Sequence, residues 1–200
     1  MKEHPILFTT DMVKAILDGR KTQTRRVNKL EGLDGDSPYY EIREGDLIPI
    51  NDMCPYGQVS DHLWVRETWK TEVEYDSLSP SQLPATAKIW YMADGDAVYS
   101  NTRPSIFLPR KYSRITLEIT DIRVQRVQEI SSNDCRAEGV EPFLYTINYR
   151  KLWDSINGKP RNRKFTLDDK SNRHFIKDQV GEYSWASNPF VWAISFKVIK

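Results

Sequence analysis

This sequence has little cysteine and little histidine. Its 200 residues carry two cysteines, Cys54 and Cys135, far apart and without metal-ligand spacing, and three histidines, His4, His62 and His174, which show no ligand spacing either. That pattern argues against a disulfide framework and against a zinc-type centre. Reduced thiols in a cytoplasmic setting are expected, with no metal and no cofactor. No apolar run approaches the about 20 residues that span a bilayer, and the amino-terminal MKEHPILFTT lacks the pattern of a secretory leader. Net charge is nearly absent too. With 29 Lys+Arg against 28 Asp+Glu, the global balance points to no polyanionic partner, so any basic site must come from local clustering. Internal repeats, low-complexity tracts and βαβ alternation are all missing, which sets aside solenoids and doubly wound folds.

What the chain does have is aromatic side chains, including six Trp and ten Tyr, a supply that fits either a β core or base stacking. Alternation marks the strands. His62-Leu-Trp-Val-Arg-Glu-Thr-Trp69 places Trp64, Arg66 and Thr68 on one face and Val65, Glu67 and Trp69 on the other. Residues 113–128 alternate as Ile115, Leu117, Ile119 and then Ile122, Val124, Val127, which demands one or two register breaks and so a bent or bulged strand. Residues 188–199 read as a closing strand. Shorter strands are expected at Pro5–Phe8, 22–27, Asp46–Ile50 (an edge, because of Pro49) and Lys88–Met92.

Helices are few. One is capped by Thr10 or Asp11 and ends near Asp18, with Gly19 as its C′ residue. A short one starts at Ser131 or Ser132 and stops before Gly139. A third covers Tyr145–Asn157 with Leu152, Trp153 and Ile156 inward. Residues 28–45 and 72–86 are turn-rich, and 159–187 reads as an insertion or mobile loop within a single domain. Many strands with few helices predict a mainly β fold with α decorations, a small β-barrel with flanking helices.

One stretch concentrates charge. Asp18-Gly-Arg-Lys-Thr-Gln-Thr-Arg-Arg-Val27 carries Arg20, Lys21, Arg25 and Arg26 around Thr22 and Thr24. It suits a solvated basic turn, a phosphate or base clamp, or a catalytic site in which neighbouring cations and burial lower the pKa of Lys21 and a threonine hydroxyl attacks. Geometry decides among these. Positions three apart on a strand face opposite sides, so Lys21 and Thr24 converge only if the chain turns at 19–22. Arg66 and Glu67 are candidates for the barrel mouth. Arg103, Arg110, Lys111 and Arg114 form a second cationic cluster which, beside the first, makes a nucleic-acid groove. Lys159–Lys164 reads as an exposed basic loop.

Six segments in order, PILFTTDMVKAILDGRKTQTRRV, CPYGQVSDHLWVRETW, RPSIFLPRKYSRITLEITDIRVQRVQEIS, AEG, LWDSINGK and NPFVWAISFKVI, resemble ASCH-domain proteins of the phage and prophage type. The resemblance implies a PUA-like β-barrel. It also implies a nucleic-acid or nucleoside ligand, RNA or a modified base, in a cationic pocket at the barrel mouth. The family signature resembles Gly-x-Lys-x-x-Glu-x-Arg, and here reads Gly19-x-Lys21-x-x-Thr24-x-Arg26, with threonine in the glutamate position. That variant is similar to the N4-acetylcytidine amidohydrolases of the family, which implies catalysis by Lys21, Thr24 and a downstream glutamate, Glu138 by ungapped reading. Arg20, Arg25, Arg26, Arg66, Glu67, Arg103, Arg110 and Arg114 are the expected ligand-binding residues. Other members imply metal-independent ribonuclease activity or a phage accessory role. Phe107 stands where phage-type members often have histidine.

Overall fold

A computed structural model describes residues 1–30, 39–43, 46–95, 99–159, 165–167, 173–175 and 181–200, with the backbone alone for 39–43, 46–48, 165–167 and 173–175. The strands are β1 (Glu3–Leu7), β2 (Gln23–Val27), β3 (Tyr39–Arg43), β4 (Asp46–Pro49), β5 (His62–Arg66), β6 (Trp69–Lys70), β7 (Trp90–Tyr91), β8 (Thr116–Arg126), β9 (Phe165–Leu167), β10 (Arg173–Phe175) and β11 (Phe190–Val198). Helices α1 (Thr10–Leu17), α2 (Ser132–Ala137) and α3 (Tyr145–Asn157) complete the regular elements apart from short 3-10 turns. The architecture is mainly β with helical decorations. None of the described helices is long and apolar enough to cross a membrane.

Five strands form the main sheet in the order β1-β5-β8-β11-β2, with β1 parallel to β5 and the remaining neighbours antiparallel. The pairs β3-β4, β6-β7 and β9-β10 are separate two-stranded ribbons. The expected register break falls where the apolar alternation skips. Ser195 pairs with Asp121 but Phe196 pairs with Ile119, so Thr120 is the extra residue of a bulge on β8. Strand β11 is central and covered on both faces. Trp192, Ile194 and Phe196 join the core under α1 with Phe8, Val13, Ile16, Leu117 and Ile119, while Val191 joins Tyr149, Trp153, Val127 and Cys135 under α3. Burial on both sides explains its unbroken apolar run. A third cluster, around Trp69, Leu83 and Leu108, anchors the 72–86 loop.

Four expectations change. The sheet does not close into a barrel: among the described residues, no backbone pairing joins β1 to β2. The free edge of β2 is instead met by the end of α2, through a bridge between Lys21 and Glu138. A side chain spans toward β1, where Arg26 Nη2 donates to the Leu7 carbonyl at 2.6 Å. The cap of α1 is Thr9, whose hydroxyl accepts from the Met12 N–H, one residue earlier than expected. The Lys88–Met92 strand shrinks to β7 because Met92–Asp94 turns into a 3-10 helix before Gly95. On α3 the inward face is Tyr149 and Trp153, and Ile156 is half exposed. The end of the 159–187 segment is docked on α3: Trp153 Nε1 donates to the Tyr183 carbonyl, and the Trp185 N–H donates to Asp154 Oδ1. Within that segment 160–164, 168–172 and 176–180 lie outside the described residues, as do most of the basic run 159–164 and, earlier in the chain, 31–38 and 44–45.

Candidate functional site

The turn after α1 creates the site. Gly19 adopts φ +70, and its N–H donates to the Ile16 carbonyl. The N–H groups of Arg20 and Lys21 both reach back to the Ala15 carbonyl, satisfying the last turn of α1. The chain therefore reverses at 18–21, as the convergence of Lys21 and Thr24 requires, and strand pairing starts at Gln23. On the facing side α2 is held by a capping box between Ser131 and Asp134. Glu138 is its C-cap, and Gly139 at φ +81 lets the chain pass over Ala15 and Lys21. The Thr22 N–H donates to the Ala137 carbonyl, which locks the two turns together.

Lys21 is 1% exposed, Thr24 2%, Glu138 4% and Arg25 5%. The Lys21 ammonium donates to Glu138 Oε2 at 2.6 Å, to the Glu138 carbonyl at 2.9 Å and to the Gln23 carbonyl at 2.8 Å, which uses all three of its protons. Burial lowers its pKa from the ordinary 10.5; the Glu138 carboxylate opposes the shift, and Arg26 and Arg25 add to it. Arg25 Nη1 donates to Gln23 Oε1 at 2.6 Å and to Glu138 Oε1 at 3.3 Å, and its Nη2 lies 3.2 Å from Asp134 Oδ2. Burial raises the Asp134 pKa, but the Ser131 hydroxyl, Arg25 and Arg123 outweigh it and hold the carboxyl below its ordinary value. Arg26 extends over the Phe8 ring, 5.1 Å from its centre, and Lys21 lies 5.7 Å from the same ring. Tyr149 sits 5.9 Å under the Arg25 guanidinium, and burial raises its pKa well above 10, aided by the Glu138 charge.

The ladder shows which backbone groups are free. The Thr22 carbonyl accepts from the Phe196 N–H, and the Asn28 N–H donates to the Phe190 carbonyl. Even-numbered residues of β2 thus bond to β11, and odd-numbered ones, Gln23, Arg25 and Val27, turn their N–H and C=O groups to the open edge. Lys21 caps the first of these carbonyls. Beyond it, between α1 and α3, the edge borders a small cavity of about 50 Å³ whose wall includes Thr24, Glu138, Arg25, Arg26, Met12 and Tyr149.

The structure bonds Lys21 to Glu138, and Glu138 shares a cavity wall with Thr24; Lys21 itself lies behind that wall, with its three protons on Glu138 and Gln23. Arg25 and Arg26 line that same cavity, whereas the remaining candidates are engaged elsewhere. Arg20 is half exposed and paired with Asp18 at 3.0 Å and Glu141 at 3.6 Å, on the wall of a different, wider cavity of about 580 Å³ lined also by Thr22, Arg136 and Tyr145. Arg66 donates to the Leu108 and Ile106 carbonyls. Arg103 donates to the Leu78 and Tyr75 carbonyls, fixing the long loop. Arg110 forks onto Glu3 at 2.7 and 2.9 Å. Arg114 forks onto the buried Glu67 at 2.9 and 3.0 Å and reaches Asp94 at 2.6 Å. Burial raises the Glu67 pKa against the pull of Arg114. The second cluster is therefore committed to anchoring loops rather than aligned with Lys21. Phe107 lies exposed on a 3-10 turn.

Gln23, Asp134 and Tyr149 belong to the site but were not singled out by sequence reading. The i, i+2 spacing of Gln23 and Arg25 on a strand signalled the first, and the Ser131-x-x-Asp134 box the second. The spacing Tyr145, Tyr149, Trp153 on one helical face carried the third. Comparison with protein-family models, with curated proteins and with solved structures returns no match.

Proposed function

We propose that this chain is an ASCH-type protein of PUA-like fold that binds an N4-acylated cytidine-like nucleoside and hydrolyses its amide bond. The observation that carries the reading is the fully enclosed Lys21 ammonium held by Glu138, with Thr24 and Glu138 in the wall of one cavity. Burying a lysine is costly unless partners offset the lost hydration, and here the Glu138 carboxylate and two carbonyls do so. Burial also lowers the pKa of Lys21, which is the property a general base needs.

The chemistry balances without a co-reactant other than water. Neutral Lys21 takes the Thr24 hydroxyl proton as Oγ attacks the acyl carbon. The carbon–nitrogen bond then breaks, and the departing exocyclic amine receives that proton from Lys21. Water next attacks the Thr24 ester, gives a proton to Lys21, and displaces Oγ, which recovers its hydrogen. The products are the free nucleoside and a carboxylic acid. Glu138 orients the lysine amine and supports its charged form between transfers.

A phosphate clamp on the same stretch draws less support. Lys21 and Arg25 already face carboxylates inside the protein, Arg26 gives one donor to the Leu7 carbonyl, and Arg20 pairs with Asp18 and Glu141. The test is a hydrolysis assay on N4-acetylcytidine with Lys21→Ala and Thr24→Ala as controls. Turnover by the wild type and its loss in both variants is expected. RNA binding that is strong, falls steeply with salt and occurs without any turnover would replace this reading with the binding module.

A further inference from the structure

We propose that Asp134 and Arg25 are positioning residues for Lys21: Asp134 holds the Arg25 guanidinium back from Glu138, which leaves the Glu138 carboxylate to set the lysine amine. The catalytic meaning of this rests on the hydrolase reading above. Three observations carry it. The first is the direction of approach. Alternation along β2 turns the Arg25 side chain to the side of α2 and α3, opposite to Thr24, where it lies over Tyr149. Arg25 therefore acts on Glu138 and not on the threonine.

The second is the sharing of charge. Lys21, Glu138, Arg25, Asp134 and Arg123 form one chain of alternating sign, with contacts of 2.6, 3.3, 3.2 and 3.1 Å in that order. The chain runs from a fully enclosed amine to a guanidinium that is 44% exposed. Arg25 is the one cation in it that stands between two carboxylates on α2, one of them committed to Lys21.

The third is that the guanidinium is not locked. Its shortest contact, 2.6 Å, goes from Nη1 to Gln23 Oε1, and its Nε and Nη2 are buried with no hydrogen-bond partner among the described residues. It forms a two-point fork with neither carboxylate, although such forks are the stronger arrangement. The balance of charge on its two sides therefore decides where it rests. With Asp134 neutral, Arg25 settles on Glu138, and Lys21 loses part of the attraction that favours its charged form. The charged groups that face Lys21 are Glu138 from α2 and Arg25 and Arg26 from β2. Arg20, its chain neighbour, is paired with Asp18 and Glu141. Tyr149 of α3 and Cys135 of α2 face Arg25, and burial raises both, the thiol up to about 11.

The experiment follows the Lys21 Nζ signal of the full chain by heteronuclear NMR through an alkaline titration, with Lys21→Arg to identify the signal. Asp134→Asn, which keeps the side-chain shape, should move the Lys21 midpoint down by about half a pH unit or more. Arg25→Met should move it up. Asp134→Asn added to Arg25→Met should then change little, the non-additivity expected when one residue acts through another. Asp121→Asn removes the same charge from a carboxylate that faces Arg123 and not Arg25, and should leave the midpoint nearly in place. The alkaline limb of N4-acetylcytidine hydrolysis should move with the midpoint in each variant. No downward shift in Asp134→Asn, or an equal shift in Asp121→Asn, overturns the proposal. Should Arg25→Met fail to fold, the contrast between the two aspartate variants still decides. The expected midpoint shifts without any turnover by the wild type would overturn the hydrolase reading and leave the positioning of the amine standing.

Discussion

The Lys21 ammonium and the Glu138 carboxylate meet at 2.6 Å with both side chains almost fully enclosed, and the other carboxylate oxygen accepts from Arg25 at 3.3 Å. One anion thus neutralises two buried cations brought from the opposite side of a turn. The protein has tied its α1–β2 turn to the end of α2 through this group. Glu138→Ala leaves the Lys21 ammonium without its carboxylate, while Arg25 keeps Asp134, and removal of one partner of a buried pair costs roughly 3–5 kcal/mol. We expect a loss of that size in urea denaturation. The double replacement Lys21→Met with Glu138→Leu should lose much less, because it removes the desolvation cost along with the attraction. A double-mutant cycle that shows simple additivity contradicts this account of the pair.

The pH response follows from the direction of the Lys21 shift. Its folded pKa lies below the ordinary 10.5, so between those two values the folded state binds fewer protons than the unfolded chain. The stability contribution of Lys21 therefore rises with pH across that window. Hydrolysis should rise through the lower of the two values, since only the neutral amine accepts the Thr24 proton. Initial rates from neutral to alkaline pH should show this limb in the wild type. Lys21→Arg, whose guanidinium does not deprotonate, should abolish the activity at every pH. A rate in the Lys21→Arg variant that still rises with pH would assign the limb to another group.

Much of this was readable from residue order alone, because local signals set it. The Gly19 reversal, the Ser131 cap, the skip in alternation between Ile119 and Ile122 and the unbroken run of β11 all appear where backbone chemistry and the period of two place them. Lys21, Thr24 and Glu138 were named together only through the resemblance of Gly19-x-Lys21-x-x-Thr24-x-Arg26 to a family signature, not from local backbone signals. Long-range consequences were not readable. Nothing local told that Arg25 points to Asp134 and Glu138. Nor did anything tell that the second arginine cluster spends its donors on loop carbonyls and on Glu67 and Glu3. Barrel closure depended on what meets the free edge of β2, and a side-chain amine and a helix end meet it instead of β1.

The two glycines that frame the site should respond differently to alanine. Both have positive φ, +70 at Gly19 and +81 at Gly139, so each substitution costs roughly 1–2 kcal/mol in backbone strain. At Gly19 an added Cβ meets nothing within 4 Å. At Gly139 it meets the Ala15 Cβ at 3.0 Å and the Lys21 Cβ at 3.1 Å, neither of which is the tip of a flexible side chain. Overpacking of this kind adds about 1–3 kcal/mol. Gly139→Ala should therefore be the more destabilised variant in thermal melts, and it should also lower hydrolysis by displacing Lys21 from Glu138. Similar melting temperatures for the two variants would place the close approach in doubt.

Arg114 offers a test of the division between site and scaffold. It forks onto Glu67, which is 1% exposed, and it is itself about a quarter exposed. Arg114→Met leaves that carboxylate buried without its partner. The cost at neutral pH should fall near or below the low end of the roughly 3–5 kcal/mol seen for broken buried pairs, since solvent reaches one side. Burial already raises the Glu67 pKa above the ordinary 4.5, and loss of Arg114 raises it further. A carboxyl raised in the folded state contributes most below its unfolded pKa and loses that contribution as pH rises through the folded value. The destabilisation of Arg114→Met should accordingly shrink between neutral and a mildly acidic pH, because Glu67 takes up a proton above the ordinary carboxylate range and the charge disappears. Urea midpoints of wild type and variant at the two pH values measure this. Because Arg114 bonds to Glu67 and Asp94 and not to the residues around Thr24, kcat at a temperature well below the variant's melting point should stay close to wild type. A large fall in kcat with intact folding would move Arg114 and Glu67 from the scaffold into the reaction.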